Sequence, residues 1–151
     1  MKIRGGPWIA MLAALALAAA AGAEDFEAPD VAHDAGELEA LLEDSVDAPR
    51  AETALVFSSG LDEERRVVCR ARNARGEAVG HAAVRVPARG VGFLLASDFS
   101  GGEPFAGQVT CLARRGIRAS GFLRTAGGLT ALPGVGPARG HRIRFPIVAT
   151  R

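Results

Sequence analysis

Tyrosine is absent from the chain, and the single tryptophan, Trp8, lies close to the amino terminus. Every other aromatic residue is a phenylalanine. Sites for carbohydrates and single-stranded nucleic acids usually depend on exposed aromatic rings, often of Trp or Tyr, whose polar group suits a half-wet surface. The composition therefore disfavours both of these ligand classes.

Histidine is scarce, and the three in the chain are His33, His81 and His141. None is separated from another histidine or from a cysteine by the short spacing of a local zinc site. The G-x-S-x-G sequence that presents a hydrolase serine is also missing. We therefore predict no catalytic residue, no metal site and no cofactor, and we expect His33 to be solvated. The enzymatic alternative is a small hydrolase in which His81 or His141 meets a serine and a carboxylate in the fold.

The first residues have the pattern of a secretory signal peptide. Lys2 and Arg4 precede an apolar run of 14 residues, Trp8–Ala21, and the small residues Ala-Gly-Ala follow. A bilayer-spanning helix needs about 20 apolar residues, so this run is short for an anchor. We predict that residues 1–23 are a cleaved signal peptide and that the mature chain has no membrane span. The protein is then exported, to the bacterial periplasm or the exterior; an uncleaved membrane anchor is the alternative.

The chain has two cysteines, Cys69 and Cys111. In an exported protein such a pair favours one disulfide, and two buried free thiols are the alternative. A disulfide that encloses about 42 residues stabilises a fold by about 4 kcal/mol in the loop-entropy model, less any strain. The chain after residue 23 is long enough for one domain with its own core.

Charge divides that part of the chain into two blocks. The acidic leader, residues 24–49, contains ten acidic residues and no Lys or Arg, whereas residues 50–151 contain 16 Arg and seven acidic residues. The leader is predicted to be a partly disordered, solvated segment, or to form a short amphipathic helix over Glu37–Asp44, where leucines recur at helical spacing. A more specific hypothesis is that the leader docks onto the basic domain behind it.

Residues 50–151 contain about seven short extended segments separated by turn residues, with no long helical pattern. This pattern is typical of an antiparallel β-sandwich, and an immunoglobulin-like topology is the default expectation. Each cysteine lies in a segment that we expect to be one strand of a β-hairpin. The predicted strands are Glu52–Ser58, Arg65–Arg72, a segment ending at Val86, Val91–Ala96, Gln108–Ala113, Ile117–Arg124 and His141–Val148.

Polar and glycine-rich segments are expected to be loops. Ser97–Pro104 is predicted to be a turn in which Asp98 and Ser100 bond their own backbone. Gly127–Gly140 is predicted to be a long surface loop with a brief apolar interruption. The acidic cluster at 62–64 is expected to be a solvated turn.

The last predicted strand contains Pro146, which favours an edge position because proline cannot donate a hydrogen bond to a neighbouring strand. Its inward-facing residues are expected to be Ile143, Phe145 and Ile147. This strand, R-I-R-F-P-I-V-A-T, together with the cysteine-bearing hairpin, V-P-A-R-G-V-G-F-L-L-A-S-D-F-S and G-Q-V-T-C-L-A, resembles small secreted bacterial proteins of uncharacterised function. The resemblance covers Glu52–Arg151; it implies an exported β-sandwich and no particular activity.

Arginine is the remaining functional signal, because guanidinium groups bind carboxylates and phosphates bidentately. Arginines on one exposed face would form a basic stripe that binds an anionic partner; the alternative is that they only solubilise the outer face of a sheet. The candidate residues are Arg66, Arg70 and Arg72 on the first expected hairpin and Arg114, Arg115 and Arg118 on the second.

These observations predict a non-catalytic interaction module that binds a protein partner in the envelope or outside the cell. Addition of a partner strand at the edge of the last predicted strand, which contains Pro146, is one binding mode for such a module. The alternative function is a polyanion binder, in which the arginines contact an anionic polymer and the acidic leader acts as an intramolecular competitor.

Overall fold

The computed structural model of the protein describes residues 27–43, 50–134 and 141–151. The expected signal peptide lies outside these residues, as do residues 24–26 and 44–49 of the leader and residues 135–140 of the expected glycine-rich loop. The described elements, in chain order, are β1 Asp30–Val31, α1 Ala35–Glu43, β2 Glu52–Ser59, β3 Arg65–Asn73, β4 Ala78–Val86, β5 Val91–Leu95, α2 Ser97–Ser100, β6 Phe105–Leu112, β7 Ile117–Thr125, β8 Gly128–Leu132 and β9 Arg142–Thr150.

The strands form one curled sheet in the order β1-β4-β3-β6-β9-β2-β7-β8, with β5 paired to the other side of β2. Strand β9 meets β2 only at Thr150 and Glu52, so the sheet divides there into a β3 half (β1, β4, β3, β6, β9) and a β2 half (β5, β2, β7, β8). Strand β1 is parallel to β4, and the other pairs are antiparallel. The all-β prediction is confirmed. The immunoglobulin-like sandwich of about seven strands is not, because nine described strands belong to one hydrogen-bonded sheet.

The core lies between the two halves of the sheet. Because successive side chains of a strand point to opposite faces, β3 contributes every second residue to the core, namely Val67, Cys69 and Ala71. Phe57 on β2 and Phe145 on β9 are fully buried, and their rings meet edge to face with centroids 6.5 Å apart. The other buried core residues include Leu55, Val67, Cys69, Ala71, Val84, Val86, Leu94, Val109, Cys111 and Val148.

The predicted disulfide between Cys69 and Cys111 is confirmed. The two residues are directly opposite each other on the neighbouring strands β3 and β6, with their Cα atoms 4.0 Å apart. Both cysteines are buried in the core. In immunoglobulin domains the disulfide joins two sheets, whereas here it joins adjacent strands, which is a further difference from that topology.

One of the two predicted cysteine hairpins is correct. Strands β3 and β4 form a hairpin, and the Asn73 side chain closes its turn by accepting hydrogen bonds from the backbone N–H groups of Arg75 and Glu77, both at 3.0 Å. The prediction of a second hairpin was wrong, because β6 pairs with β3 and β9 whereas β7 pairs with β2 and β8. A turn followed by a second alternating strand does not specify the pairing partner, and here the chain crosses between the two halves at Arg115 and Gly116.

The last strand, β9, is interrupted by a β-bulge. Phe145 pairs with Val109 and Val148 with Gly107, so two residues of β9, Pro146 and Ile147, face a single residue of β6. The bulge reverses the alternation, and this is why the prediction for Ile147 was wrong: its side chain is 62% exposed and Val148 is buried instead. The edge prediction for Pro146 is not confirmed, because β9 lies between β6 and β2 in the strand order. Pro146 lies at the bulge, where the ladder with β6 is interrupted, and the described part of β2 meets β9 only at Thr150.

Two segments that were expected to be loops contain regular structure. The apolar interruption of the glycine-rich loop is strand β8, which pairs antiparallel with β7. Ser97–Ser100 forms the short helix α2, and its backbone approaches β4 so closely that a Cβ on Gly80 would lie 2.0 Å from the carbonyl oxygen of Phe99. This contact fixes α2, which carries Asp98, against the sheet.

Candidate functional site

The leader docks on the edge of the β3 half, as the more specific hypothesis predicted. Asp30 and Val31 pair with Ala83 and Val84 of β4, and the N–H of Ala83 donates a 2.9 Å hydrogen bond to the carbonyl oxygen of Pro29. The leader also forms helix α1, where a short helix was predicted. The acidic leader therefore contributes a strand to the sheet of the basic domain.

Asp30 binds two arginines of the sheet. Its carboxylate accepts hydrogen bonds from Arg66 Nε at 2.6 Å and from Nε and Nη2 of Arg85, both at 3.1 Å. The hydrogen bond from Arg66 lowers the pKa of Asp30; partial burial opposes this effect, and the hydrogen bond from Arg85 and both positive charges add to it. Asp30 therefore stays ionised in its docked position at neutral pH.

Each of these arginines makes a further contact. Arg66 Nη2 donates to the carbonyl oxygen of Ala28 at 2.5 Å, and Ala28 itself is buried. Arg85 Nη1 donates to Glu64 at 3.1 Å, and this hydrogen bond and those that Arg85 donates to Asp30 raise the pKa of the guanidinium. The edge of β4 thus binds both the backbone and the carboxylate of the leader.

The acidic cluster at 62–64 is exposed between β2 and β3, as expected for a solvated turn, and each of its carboxylates pairs with an arginine. Asp62 accepts from Arg89 at 2.5 Å, Glu63 pairs with Arg65, and Glu64 pairs with Arg85. The carboxylates are more than half exposed. Exposed ion pairs of this kind contribute little to stability.

The predicted stripe on the first hairpin is present. Arg66, Arg70 and Arg72 lie on the exposed face of β3, and strand register extends that face across β6 to β9, where Thr110 pairs with both Arg70 and Arg144. We call this surface the basic face. Its arginines are Arg66, Arg70, Arg72, Arg85, Arg142 and Arg144.

The other three predicted arginines lie elsewhere, because β6 and β7 are not partners. Arg114 and Arg115 line an open pocket with Arg65, Leu61 and His141 at the end of the sheet. Arg118 is on β7 and lines a separate concavity with residues 58–61. The six predicted candidates therefore belong to two different surfaces, and only the β3 residues belong to the basic face.

His33 makes the second contact between leader and sheet, and the expectation that it is solvated was wrong. Its Nδ1 lies 2.7 Å from Glu37 Oε2, its Nε2 lies 2.9 Å from Asp98 Oδ2, and its side chain is only 14% exposed. The ring also stacks on Phe93, with centroids 4.7 Å apart. His33 therefore links the leader to both α2 and β5.

Asp98 has a backbone partner as well. Its Oδ2 accepts a 2.7 Å hydrogen bond from the N–H of Leu95, and the nearby Ser100 hydroxyl donates to the carbonyl oxygen of Glu103 at 2.6 Å. The predicted turn chemistry at both residues is thus present. What the sequence did not indicate is that the same carboxylate also contacts His33, which lies 65 residues away in the chain.

The pKa of His33 is raised above 6.5. Burial of the ring lowers it, but the hydrogen bonds with Asp98 and Glu37, together with the negative charges of both carboxylates, outweigh that effect. Protonated His33 is therefore favoured in the docked leader.

The other two histidines lie on different surfaces of the sheet. His141 lines the pocket with three arginines and Leu61, and His81 is opposite Arg70 on the basic face. In the described ranges 27–43, 50–134 and 141–151, no group of three His, Cys, Asp or Glu side chains could bind a metal ion. The helices of the same ranges are too short or too polar to cross a membrane.

No protein-family model matches the chain, and no curated protein or solved structure matches it. Function must therefore be inferred from the geometry of the basic face and of the leader that lies against it.

Proposed function

We propose that the protein is an exported, non-catalytic binding module whose basic face, together with the β4 edge, binds an extended acidic segment of a protein partner. The observation that supports this most is the docking of the leader, in which a strand is added to β4 and Asp30 binds Arg66 and Arg85. The signal-like first residues and the disulfide are compatible with export.

The contacts of the docked leader support this proposal, because they are of the kind that a partner segment would make. A strand added at an edge gains main-chain hydrogen bonds that do not depend on sequence, while side-chain contacts provide specificity. Here the backbone contact is the hydrogen bond from Ala83 to Pro29, and the side-chain contact is one carboxylate between two guanidinium groups. A partner that presents an extended segment with an acidic residue in this register would form the same contacts.

A polyanion is the second candidate ligand, and one observation favours it. Arg142 and Arg144 continue the basic face, and neither has a carboxylate within ion-pair distance in the part of the chain that the structure describes. A polymer of closely spaced anionic groups could contact these arginines together with Arg66 and Arg85. In this case the leader would compete with the polymer by occupying one end of the face.

Binding of a synthetic leader peptide tests the proposal. The probe is a fluorescent peptide with the sequence of residues 27–43, and the protein is expressed from its full sequence so that any processing is natural. An opened variant, with Asp30→Arg and His33→Gln, removes both side-chain contacts of the chain's own leader. We expect it to bind the peptide about tenfold or more tightly than the wild type, because an occupied site reduces apparent affinity by its open fraction.

A test substitution with a matched control, and an altered peptide, identify the surface that binds. Adding Arg85→Gln to the opened variant should weaken peptide binding, whereas Arg89→Gln, at an exposed arginine paired with Asp62, should not. A peptide with Asn in place of the Asp30 equivalent should bind more weakly than the native peptide. Failure of the opened variant to bind the peptide would overturn the proposal, and strong binding of polyphosphate by the same variant would then favour the polyanion function.

A further inference from the structure

We propose that the leader is a proton-dependent latch, which is closed over the β4 edge when His33 is an imidazolium and opens when His33 becomes neutral. Opening uncovers Arg66, Arg85 and the β4 edge. This inference rests on the proposed function only in taking these groups to be a binding surface. The latch itself is argued from the contacts of His33 alone.

Hydrogen-bond chemistry requires the charged ring in the closed position. Both ring nitrogens of His33 face carboxylate oxygens, at 2.7 Å from Glu37 and 2.9 Å from Asp98. An ionised carboxylate can only accept hydrogen bonds, and a neutral imidazole has only one N–H to donate. Loss of the proton would therefore leave a nitrogen lone pair facing a carboxylate in a site where the ring is mostly buried, and burial makes such an unsatisfied contact more costly.

His33 faces a negative charge on the leader side, and negative, positive and apolar groups on the sheet side. Glu37 contacts it from α1 and Asp98 from α2, while β5 contributes only apolar groups, including the stacked ring of Phe93. Arg124 on β7 lines the same concavity. Two other carboxylates belong to neighbouring segments and have their own partners: Asp34 accepts from the N–H of Glu37, and Glu52 accepts from the N–H of Ser97 and the hydroxyl of Thr150.

The leader contacts the sheet at two junctions, one at Asp30 and one at His33. The pKa shifts of these two residues give the direction in which pH changes the opening of the latch. Because the pKa of His33 is raised in the docked leader, its contribution is fully present below about pH 6.5, and it is lost as the pH rises through the higher docked-state value. The pKa of Asp30 is lowered, so its contribution is present above pH 3.8 and is lost only as the pH falls through the docked-state value. Between mildly acidic and mildly alkaline pH, His33 is thus the group that opens the latch.

The Ala83 amide is a direct reporter of the latch, because its N–H donates to Pro29 of the leader. We would measure hydrogen exchange of this amide in the whole protein from about pH 5.5 to about pH 8.5, corrected for the intrinsic pH dependence of exchange. The opening equilibrium should rise by up to about tenfold per pH unit over the interval between the undocked and docked pKa values of His33, as expected for release of one proton.

Two histidine variants distinguish the latch from a general loosening of the fold. His33→Gln should abolish the pH dependence at Ala83, whereas His141→Gln, at a histidine in a different pocket, should retain it. Two results would refute the latch. In one, exchange at Ala83 does not change with pH in the wild type; in the other, it changes equally in the wild type and in the His33→Gln variant.

Failure of the latch can be separated from failure of the proposed function. Exchange at Ala83 is measured with no partner present, and peptide binding is measured with the opened variant, which has no His33. If peptide binds the opened variant while wild-type exchange is independent of pH, the latch is wrong and the binding face stands. If exchange depends on pH and the peptide does not bind, the leader moves with pH but the proposed ligand class is wrong.

Discussion

The leader contacts the sheet at two junctions that use the same kind of chemistry in different surroundings. At the Asp30 junction, a carboxylate that is 38% exposed meets two arginines that are 38% and 59% exposed. At the His33 junction, the histidine and Asp98 are each only 14% exposed. Solvent and salt screen the first junction, whereas burial strengthens the second and makes it depend on a proton. On the latch proposal, the same segment is attached by one contact that is constant near neutral pH and by one that is switchable.

The largest expected effect is on the stability of the fold that carries both junctions. Replacing Cys69 and Cys111 by alanine removes the covalent link between β3 and β6, and it should lower the free energy of unfolding by about 2–4 kcal/mol. Denaturant unfolding of the variant and of the oxidised wild type measures this difference. The pH dependence of Ala83 exchange should persist in the variant under folding conditions, and its loss would mean that the leader contacts depend on the disulfide.

A change at Gly80 should affect mainly the His33 junction. The Cβ of an alanine there would lie 2.0 Å from the Phe99 carbonyl oxygen, so α2 must move and displace Asp98. We expect Gly80→Ala to cost about 1–3 kcal/mol of unfolding free energy, as overpacking usually does, and to lower the pKa of His33. Thermal unfolding and NMR titration of the ring check both effects. Gly60→Ala, at a glycine with open space around it, is the matched control, and an equal loss of stability there would contradict the explanation.

Replacing Asp98 by asparagine should convert the switchable junction into a weak neutral one. An amide oxygen can still accept from His33 but carries no charge, so the pKa of His33 should fall and the latch should open at lower pH. NMR titration of the His33 ring measures the pKa, and Glu103→Gln provides a control at a nearby exposed carboxylate. An unchanged pKa in Asp98→Asn would show that Asp98 does not stabilise the imidazolium.

The smallest effect is expected at the exposed junction. Asp30→Asn should increase leader opening slightly at low salt and hardly at all at high salt, because the lost contacts are solvent-screened. Exchange at Ala83 over a salt series measures the change, with Asp62→Asn as the control for an exposed ion pair remote from the leader. A large effect that persists at high salt would show that the two junctions do not differ as proposed.

Local patterns predicted the strands and the disulfide, because alternation with period two and a pair of cysteines are visible in short windows of sequence. They did not predict how the strands pair. The alternation in Ile117–Thr125 fits a hairpin with β6 as well as it fits the observed position between β2 and β8. The bulge in β9 was also not predicted from the sequence. Its one extra residue changes which side chains are buried, but it does not change the residue composition of the strand.

The candidate site was only partly predictable. Arg66, Arg70 and Arg72 recur on one face of a predicted strand, and the acidic leader suggested a docking partner for them. The residues that connect the leader to the sheet, Asp30 to Arg85 and His33 to Asp98, are 55 and 65 positions apart. The spacing of four between His33 and Glu37 was the only local signal of the second junction, and by itself it indicates just a helical neighbour.

The bulge at Pro146 and Ile147 has a consequence for how the protein behaves at high concentration. An unpaired strand edge is a template on which another chain can add, and this leads to fibrils or swapped dimers. Along most of β9, the described part of β2 leaves one side unpaired, and there the proline offers no N–H while the bulge bends the strand out of register. An added strand would therefore find no N–H donor at Pro146. The β4 edge is covered by the leader instead, and our proposal is that a partner binds where the leader opens.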